Sequence, residues 1–267
     1  MVKRIFSKRN RALLAELVRT DFKLRYQGSV LGYTWSLLKP LLLFGILYIV
    51  FAEFLRLGRE IENFPIYLLL GIVLWAFFSE MTQQSLTSIV ARSDLIRKIR
   101  IPRWIIIASS SVSAIISLSL NMLIVLVFII FSGVDFQISS LWLPIIIVQI
   151  YILGLGFSLL LSAAYVKYRD VTYIWEVILQ AFFYATPILY PLNMITDVTF
   201  QQILMLNPMA QMIQDARWAV VTPDTLTIAD VFGGAGYRLI TIGMTFAVLI
   251  VGIIYFKRQS THFAENL

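Results

Sequence analysis

Glu80, Thr82, Gln83, Gln84, Ser85, Thr87 and Ser88 crowd the stretch FFSEMTQQSLTSIV, residues 77–90, at the end of a long apolar run. An ionisable side chain within a membrane costs at least ~2.5 kcal/mol and normally faces protein or water. This helix end is therefore expected to border other helices or a polar space. A second group is aromatic: Tyr173, Trp175, Phe182, Phe183, Tyr184 and Tyr190 set rings at several depths of one apolar segment. Sugar rings carry apolar C–H faces that stack on aromatics, so such a line could pass a glycan along without one tight site. An interfacial aromatic belt accounts equally well for Tyr173, Trp175 and Tyr190, which leaves Phe182 and Tyr184, nearer mid-depth, as the stronger candidates. Arg169, next to Asp170, offers the forked donors that suit a phosphate, while local pairing with Asp170 or Glu176 is an equal alternative.

Other chemistry is excluded by what is missing. The 267 residues contain no cysteine and one histidine, His262, so disulfides, thiol-ligated metals and a histidine-based triad are ruled out. The acids are scattered with no DxxD pair, which disfavours a metal-dependent membrane transferase, and no metal site is expected. No GxxxxGK[ST] loop is present, so the chain cannot itself be an ATPase, and it binds no cofactor of its own.

The composition dictates what positions these residues. The chain is 59% hydrophobic and 14% charged, and residues 104–130 contain no charge at all. That is an all-α polytopic membrane protein. Six spans are expected, at 37–54, 64–90, 104–131, 141–165, 172–190 and 239–256. Lysines and arginines cluster before span 1, between spans 2 and 3, between 4 and 5, and after 6, while the opposite side holds only Arg56, Arg59, Arg217 and Arg238. Both termini are thus expected in the cytoplasm, and the net charge of +7 is orientation signal and lipid attraction, with no nucleic acid as partner.

Residues 10–26 carry Leu13, Leu14, Leu17, Val18 and Phe22 at helical spacing opposite Arg11, Glu16, Arg19 and Lys23, the pattern of an amphipathic helix at the interface. The basic, amphipathic N-terminus is not patterned as a cleavable signal and is expected to be retained. Gly28 and Gly32 then allow a hinge or close packing where the chain turns into span 1. Ser110, Ser113, Ser117 and Asn121 on span 3, and Gly154, Ser158 and Ser162 on span 4, form small polar rows suited to tight helix packing. Between spans 5 and 6 the chain is too apolar for a free loop and too interrupted for a span, so short re-entrant or surface helices are expected, broken at Asn207–Pro208. The domain plan is one membrane domain: 1–36 as amphipathic helix and hinge, 37–256 as the bundle, and 257–267 as a cytoplasmic tail.

Four stretches, in order, carry a resemblance: RYQGSVLGYTWSLLKPLL (25–42), LIRKIRIPRW (95–104), YRDV (168–171), and TPILYP (186–191) followed by LNP (206–208). Together they resemble the transmembrane subunit of ABC-2 type polysaccharide exporters, the group that moves O-antigen, capsule, teichoic acid and related lipid-linked glycans. The resemblance implies a homodimer in a bacterial or archaeal cytoplasmic (inner) membrane, with two copies of a separate nucleotide-binding ATPase that uses ATP and Mg. The partners implied are a second copy of the chain, that ATPase, a polyprenyl diphosphate-linked glycan and membrane lipids. By position, Asp94, Leu95, Ile96, Arg97, Lys98, Ile99, Arg100 and Pro102 would form the coupling helix. Arg169 and Asp170 would meet the head group, and the region around Asn207, Pro208 and Met209 would form an external gate. An ABC-2 type exporter of a drug or small lipid shares the six spans and is the alternative. A membrane-embedded glycolipid-modifying enzyme is a weaker one, and a secondary transporter lacks the repeated halves.

Overall fold

A computed structural model describes residues 8–25, 28–29, 31–56, 61–98, 102–134, 137–261 and 263, and every regular element among them is helical. The helices are α1 (Lys8–Arg25), α2 (Trp35–Tyr48, prolonged by a π-helical turn Ile49–Phe54), α3 (Phe64–Ala91), α4 (Ser93–Lys98) and α5 (Trp104–Ser132). They continue as α6 (Leu143–Lys167, led in by a 3-10 turn Ile138–Trp142), α7 (Val171–Ala185), α8 (Val198–Met205), α9 (Pro208–Val220), α10 (Ile228–Phe232) and α11 (Arg238–Ser260).

Helix α3 is apolar all round through most of its length, and such a helix belongs inside a bundle. Ile66, Leu68, Leu70 and Leu74 are wholly buried, with α5 and α6 packed on either side and α2, α7 and α9 closing the rest. The small polar rows do pack as their spacing predicts. Ser110, Ser113, Ser117 and Asn121 are all buried, and Ser158 donates to the Met81 carbonyl at 3.4 Å. A methyl added at Gly154 would sit 2.9 Å from the Met81 sulfur. The closest backbone approach lies elsewhere: a Cβ on Gly252 of α11 would fall 2.3 Å from the Gly156 carbonyl oxygen of α6. Helix α2 is the opposite of α3: apart from Ser36 and Phe44 its residues are half-buried or exposed within the chain, leaving most of its apolar surface to lipid or to another chain.

Five helices are long and apolar enough to cross a bilayer among the described residues: Trp35–Phe54, Phe64–Ala91, Trp104–Ser132, Ile138–Lys167 and Ala235–Ser260. They cover five of the six expected spans. The sixth differs, since α7 stops at Ala185 rather than continuing toward 190. Pro187 explains the stop: a proline disfavours helical geometry in the residue before it, and Thr186 is extended at φ −86°, ψ 137°. At ~1.5 Å per residue its 15 residues reach ~22 Å, short of the ~30 Å hydrocarbon layer.

At the other membrane face, α1 lies along α5 with Leu17 and Asn10 buried. Gly28 and Gly32 have φ of +79° and +49°, left-handed values that other residues adopt at a penalty. Among the described residues a Cβ on either would meet nothing within 4 Å, so their backbone conformation is what calls for glycine.

Candidate functional site

The polar tract of α3 opens onto a cavity of about 700 Å³ between α2, α3 and α7. Three faces build it. Helix α2 and its approach contribute Ser29, Trp35, Ser36, Lys39, Pro40 and Leu43. Helix α3 contributes Ile72, Trp75, Ala76, Ser79, Glu80, Gln83 and Gln84, and α7 contributes Glu176, Leu179, Gln180, Phe183 and Tyr184. Rings therefore stand beside amides, hydroxyls and carboxylates, a lining that suits a polar ligand with apolar faces. Among the described residues no group of three or more histidine, aspartate or glutamate side chains gathers in the manner of a metal site.

Glu80 is held in place. Its Oε1 accepts from Gln84 Nε2 and from Ser117 Oγ of α5, each at 2.8 Å. One turn along α5, Asn121 donates to the Ser36 carbonyl of α2 at 3.3 Å. Hydrogen bonds from α5 thus reach both the α2 and the α3 walls.

The aromatic residues of α7 divide between two environments. Phe183 and Tyr184 line the cavity, with Phe183 6.0 Å from Trp75 and edge-on to Tyr184 at 5.4 Å. Trp175 is buried against Phe157 and Phe78, and its Nε1 donates to Thr82 Oγ1 at 3.0 Å. Tyr173 and Phe182 are exposed and do not line the cavity. Trp35, Trp75, Glu176 and Gln180, by contrast, do line it.

The basic loop after α3 folds into α4, with Asp94 in its first turn and exposed. Leu95 is half-buried, and Ile96 packs on a small core of Ile89, Ile107, Phe256 and Phe263. Ile99, Arg100 and the side chains of Arg97 and Lys98 lie outside the described residues. Pro102 precedes α5 and accepts from the Ile105 amide at 3.0 Å. Arg92, between α3 and α4, forms an ion pair with Asp21 of α1 and donates to Ser109 of α5 at 3.3 Å. Burial pulls its guanidinium below the usual arginine range. One side chain thereby joins the amphipathic helix, the start of α4 and a spanning helix.

Arg169 stacks over the Tyr165 ring at 5.0 Å, and among the described residues it forms no ion pair with Asp170 or Glu176. Asp170 sits at the start of α7, exposed, its carbonyl accepting from the Ile174 amide at 3.1 Å.

At the far end the two halves of the last motif meet. Asn207 caps α9 by accepting from the Met209 amide at 3.0 Å, with Pro208 in the first turn, and its Nδ2 donates to Thr186 Oγ1 at 3.0 Å. Met209 is buried. Ten residues further on, Arg217 is wholly buried and donates to the carbonyls of Tyr67, Pro187 and Ile188 at 3.0, 2.5 and 2.6 Å. It also donates to Gln214 at 2.9 Å and lies 3.6 Å over the Tyr67 ring. Desolvation lowers its pKa. Counting basic residues by side had treated Arg217 as one more external charge; in the structure it pins the Thr186–Tyr190 turn to α3. Below it, Asp215 pairs with Arg238 at 3.2 Å, and burial raises its carboxyl above the usual aspartate range.

A multi-pass helical bundle with a polar cavity beside its central column is an architecture suited to passing a polar ligand through a membrane. The model of the ABC-2 type transporter family matches residues 12–221, and the chain belongs to that family. It is 31% identical to the O-antigen export system permease protein RfbA of Klebsiella pneumoniae over 258 residues, 96% of this chain and 95% of that one. The Myxococcus xanthus protein of the same name is 31% identical over 76% of this chain and 78% of its own. The polysialic acid transport protein KpsM of Escherichia coli is 26% identical over 75% and 78%.

Proposed function

We propose that this chain is the membrane channel subunit of an ATP-driven exporter that moves a lipid-linked polysaccharide across the cytoplasmic membrane. The observation that carries this reading is the cavity: Trp35, Trp75, Phe183 and Tyr184 offer ring faces, and Ser36, Ser79, Gln83, Gln84 and Gln180 offer donors and acceptors for hydroxyls. Near end-to-end similarity to O-antigen export permeases supports the same conclusion.

In this reading two copies of the chain enclose the pathway, and the unburied apolar surface of α2 is available to the second copy or to lipid. Two copies of a separate ATPase dock on the cytoplasmic face, where ATP and Mg are bound and hydrolysed. The loop 94–102 fits their cleft, with Asp94 and Leu95 at the contact and Ile96 tying α4 to the bundle. Motion passes through Arg92 to α1, and from α1 through the Gly28 and Gly32 hinge to α2. Arg169 receives the diphosphate head group beside Asp170, and the glycan slides along the α7 rings of the cavity. Trp175 braces the α7–α3 contact, and Tyr173 and Phe182 face lipid or the second copy. Helices α8 and α9, broken at Asn207–Pro208, form the external gate. The weight of lysine and arginine before α2 and between α3 and α5 supports cytoplasmic termini.

The test is gentle extraction of the chain from its native membrane, followed by identification of the bound proteins and lipids. An ATPase in equal copy number together with a polyprenyl diphosphate glycan is the expected result. An ATPase bringing no such lipid would favour a drug or small-lipid exporter, and no ATPase at all would end the transporter reading.

A further inference from the structure

Helix α11 is followed in the sequence by the polar run Lys257 to His262 and then by Phe263. An aromatic beyond such a run would, by its neighbours, stand in water, yet Phe263 is 1% exposed. It comes about two helical turns after Phe256, and the two rings meet edge-on at 5.7 Å. Together they complete a buried cluster with Ile89 of α3, Ile107 of α5 and Leu159 of α6. Ordering a segment costs backbone entropy, so this burial marks a contact that offsets the cost.

Both ends of the loop that carries α4 touch this cluster. Ile96 packs on it at the entry, and Trp104 packs on it at the exit. Beside Trp104, the Arg103 guanidinium lies over the Phe263 ring, 5.6 Å from its centre, where the ring quadrupole attracts a cation. The loop is therefore tied to the residues after α11 as well as to α1, which Arg92 reaches through Asp21. These two ties lead to different parts of the bundle. Arg92 leads by way of α1 toward α2 and the cavity. Phe263 leads to α6 and α11, whose closest crossing, Gly156 against Gly252, lies about one turn from Leu159 and Phe256. Helices in such close backbone contact transmit displacement as one body, because a packed interior compresses little.

We propose that Phe263 is a positioning residue for coupling: it fixes the α4 loop to the α6–α11 pair, so that a push on the loop moves those helices and is not absorbed by bending of the loop. Without the ring, the loop keeps its contact with the ATPase and loses its hold on the bundle. The proposal rests on the reading of α4 as the coupling helix.

The experiment uses the full chain with its ATPase in membrane vesicles supplied with a polyprenyl diphosphate-linked polysaccharide. The readout is polymer translocated per phosphate released, at matched abundance of the chain. Phe263→Ala should lower that ratio about fivefold while the ATPase stays bound in the parental amount, and Phe263→Leu, which refills most of the space, should keep most of it. Arg103→Gln, which takes the cation from the ring, should lower the ratio about twofold. Leu159→Ala removes a comparable side chain from the α6 side of the same cluster and should leave the ratio at its parental value. An equal fall in Leu159→Ala and Phe263→Ala marks general loosening of the cluster and overturns the positioning role. A parental ratio in Phe263→Ala, with Leu95→Ser lowering it, overturns the positioning role and leaves the coupling reading of α4 standing. A parental ratio in both variants overturns that reading, and the role of Phe263 with it. Should Phe263→Ala fail to accumulate, Arg103→Gln decides: a lowered ratio supports the proposal, and an unchanged one overturns it.

Discussion

Arg217→Met probes the end of the bundle at the Thr186–Tyr190 turn most directly. Methionine keeps much of the stem's volume and removes every donor, so the carbonyls of Tyr67, Pro187 and Ile188 lose their partner together. The Tyr67 carbonyl keeps its helical bond from the Gly71 amide, so two buried carbonyls are left unsatisfied, and at ~1–3 kcal/mol each they cost roughly 2–6 kcal/mol. Against this stands the desolvation of a buried guanidinium, several kcal/mol that the variant no longer bears. The net expectation is a loss of about 2 kcal/mol, concentrated in the Thr186–Tyr190 turn because the turn can recover water for its carbonyls only by lifting off α3. That loss corresponds to about a thirtyfold rise in the opened population, at 1.4 kcal/mol per factor of ten. The chain contains no cysteine, so Ile188→Cys, a wholly buried position, gives a clean reporter. In mild detergent, its maleimide labelling should be about thirtyfold faster with Arg217→Met than without, while Leu42→Cys, exposed on α2, labels equally in both. Equal labelling at position 188 in the two backgrounds, with both proteins still folded by gel filtration, would refute the clamp.

Other consequences follow from the same contacts. Leu95→Ser should leave the chain able to bind its ATPase while lowering the amount of polymer exported per ATP hydrolysed; unchanged coupling would remove α4 from the transmission path. Gly252→Ala places a methyl 2.3 Å from the Gly156 carbonyl oxygen and should lower stability by ~1–3 kcal/mol as α6 and α11 separate. Gly243→Ala, with nothing within 4 Å, is the control and should not destabilise α11; comparable melting temperatures for the two variants would contradict the close approach. Tyr184→Ala, inside the cavity, should reduce glycan export more than Phe182→Ala, on the exposed face, and the reverse order would displace the pathway from this cavity.

What could be read from the residues alone follows from where each signal is stored. Long apolar blocks are written in side chains, and five spans fall within a few residues of the helices observed. The end of α7 is also written in side chains, at Pro187: the apolar run continues to Tyr190, but the helix obeys the proline, because no amount of hydrophobicity restores the geometry it removes. The small-residue row Gly154, Ser158 and Ser162 marks a real contact, but the tightest crossing uses Gly156 with Gly252, whose separation along the chain leaves no periodic trace. Gly28 and Gly32 announce a bend, and their positive φ values supply its physical reason.

Arg217 is the instructive failure. Its partners are three backbone carbonyls and an amide, and backbone groups are the same at every position, so no pattern of residue types distinguishes a clamped arginine from a solvated one. The polar tract of α3 lies between these cases. Its residue types declare that lipid cannot be the neighbour, whereas the identity of the neighbour depends on Trp35 and Lys39 of α2 and Glu176 and Gln180 of α7 arriving at the same place. A cavity is a relation between elements: Glu80 and Glu176 stand 96 positions apart, as their numbers give, and line one space only because α3 and α7 pack.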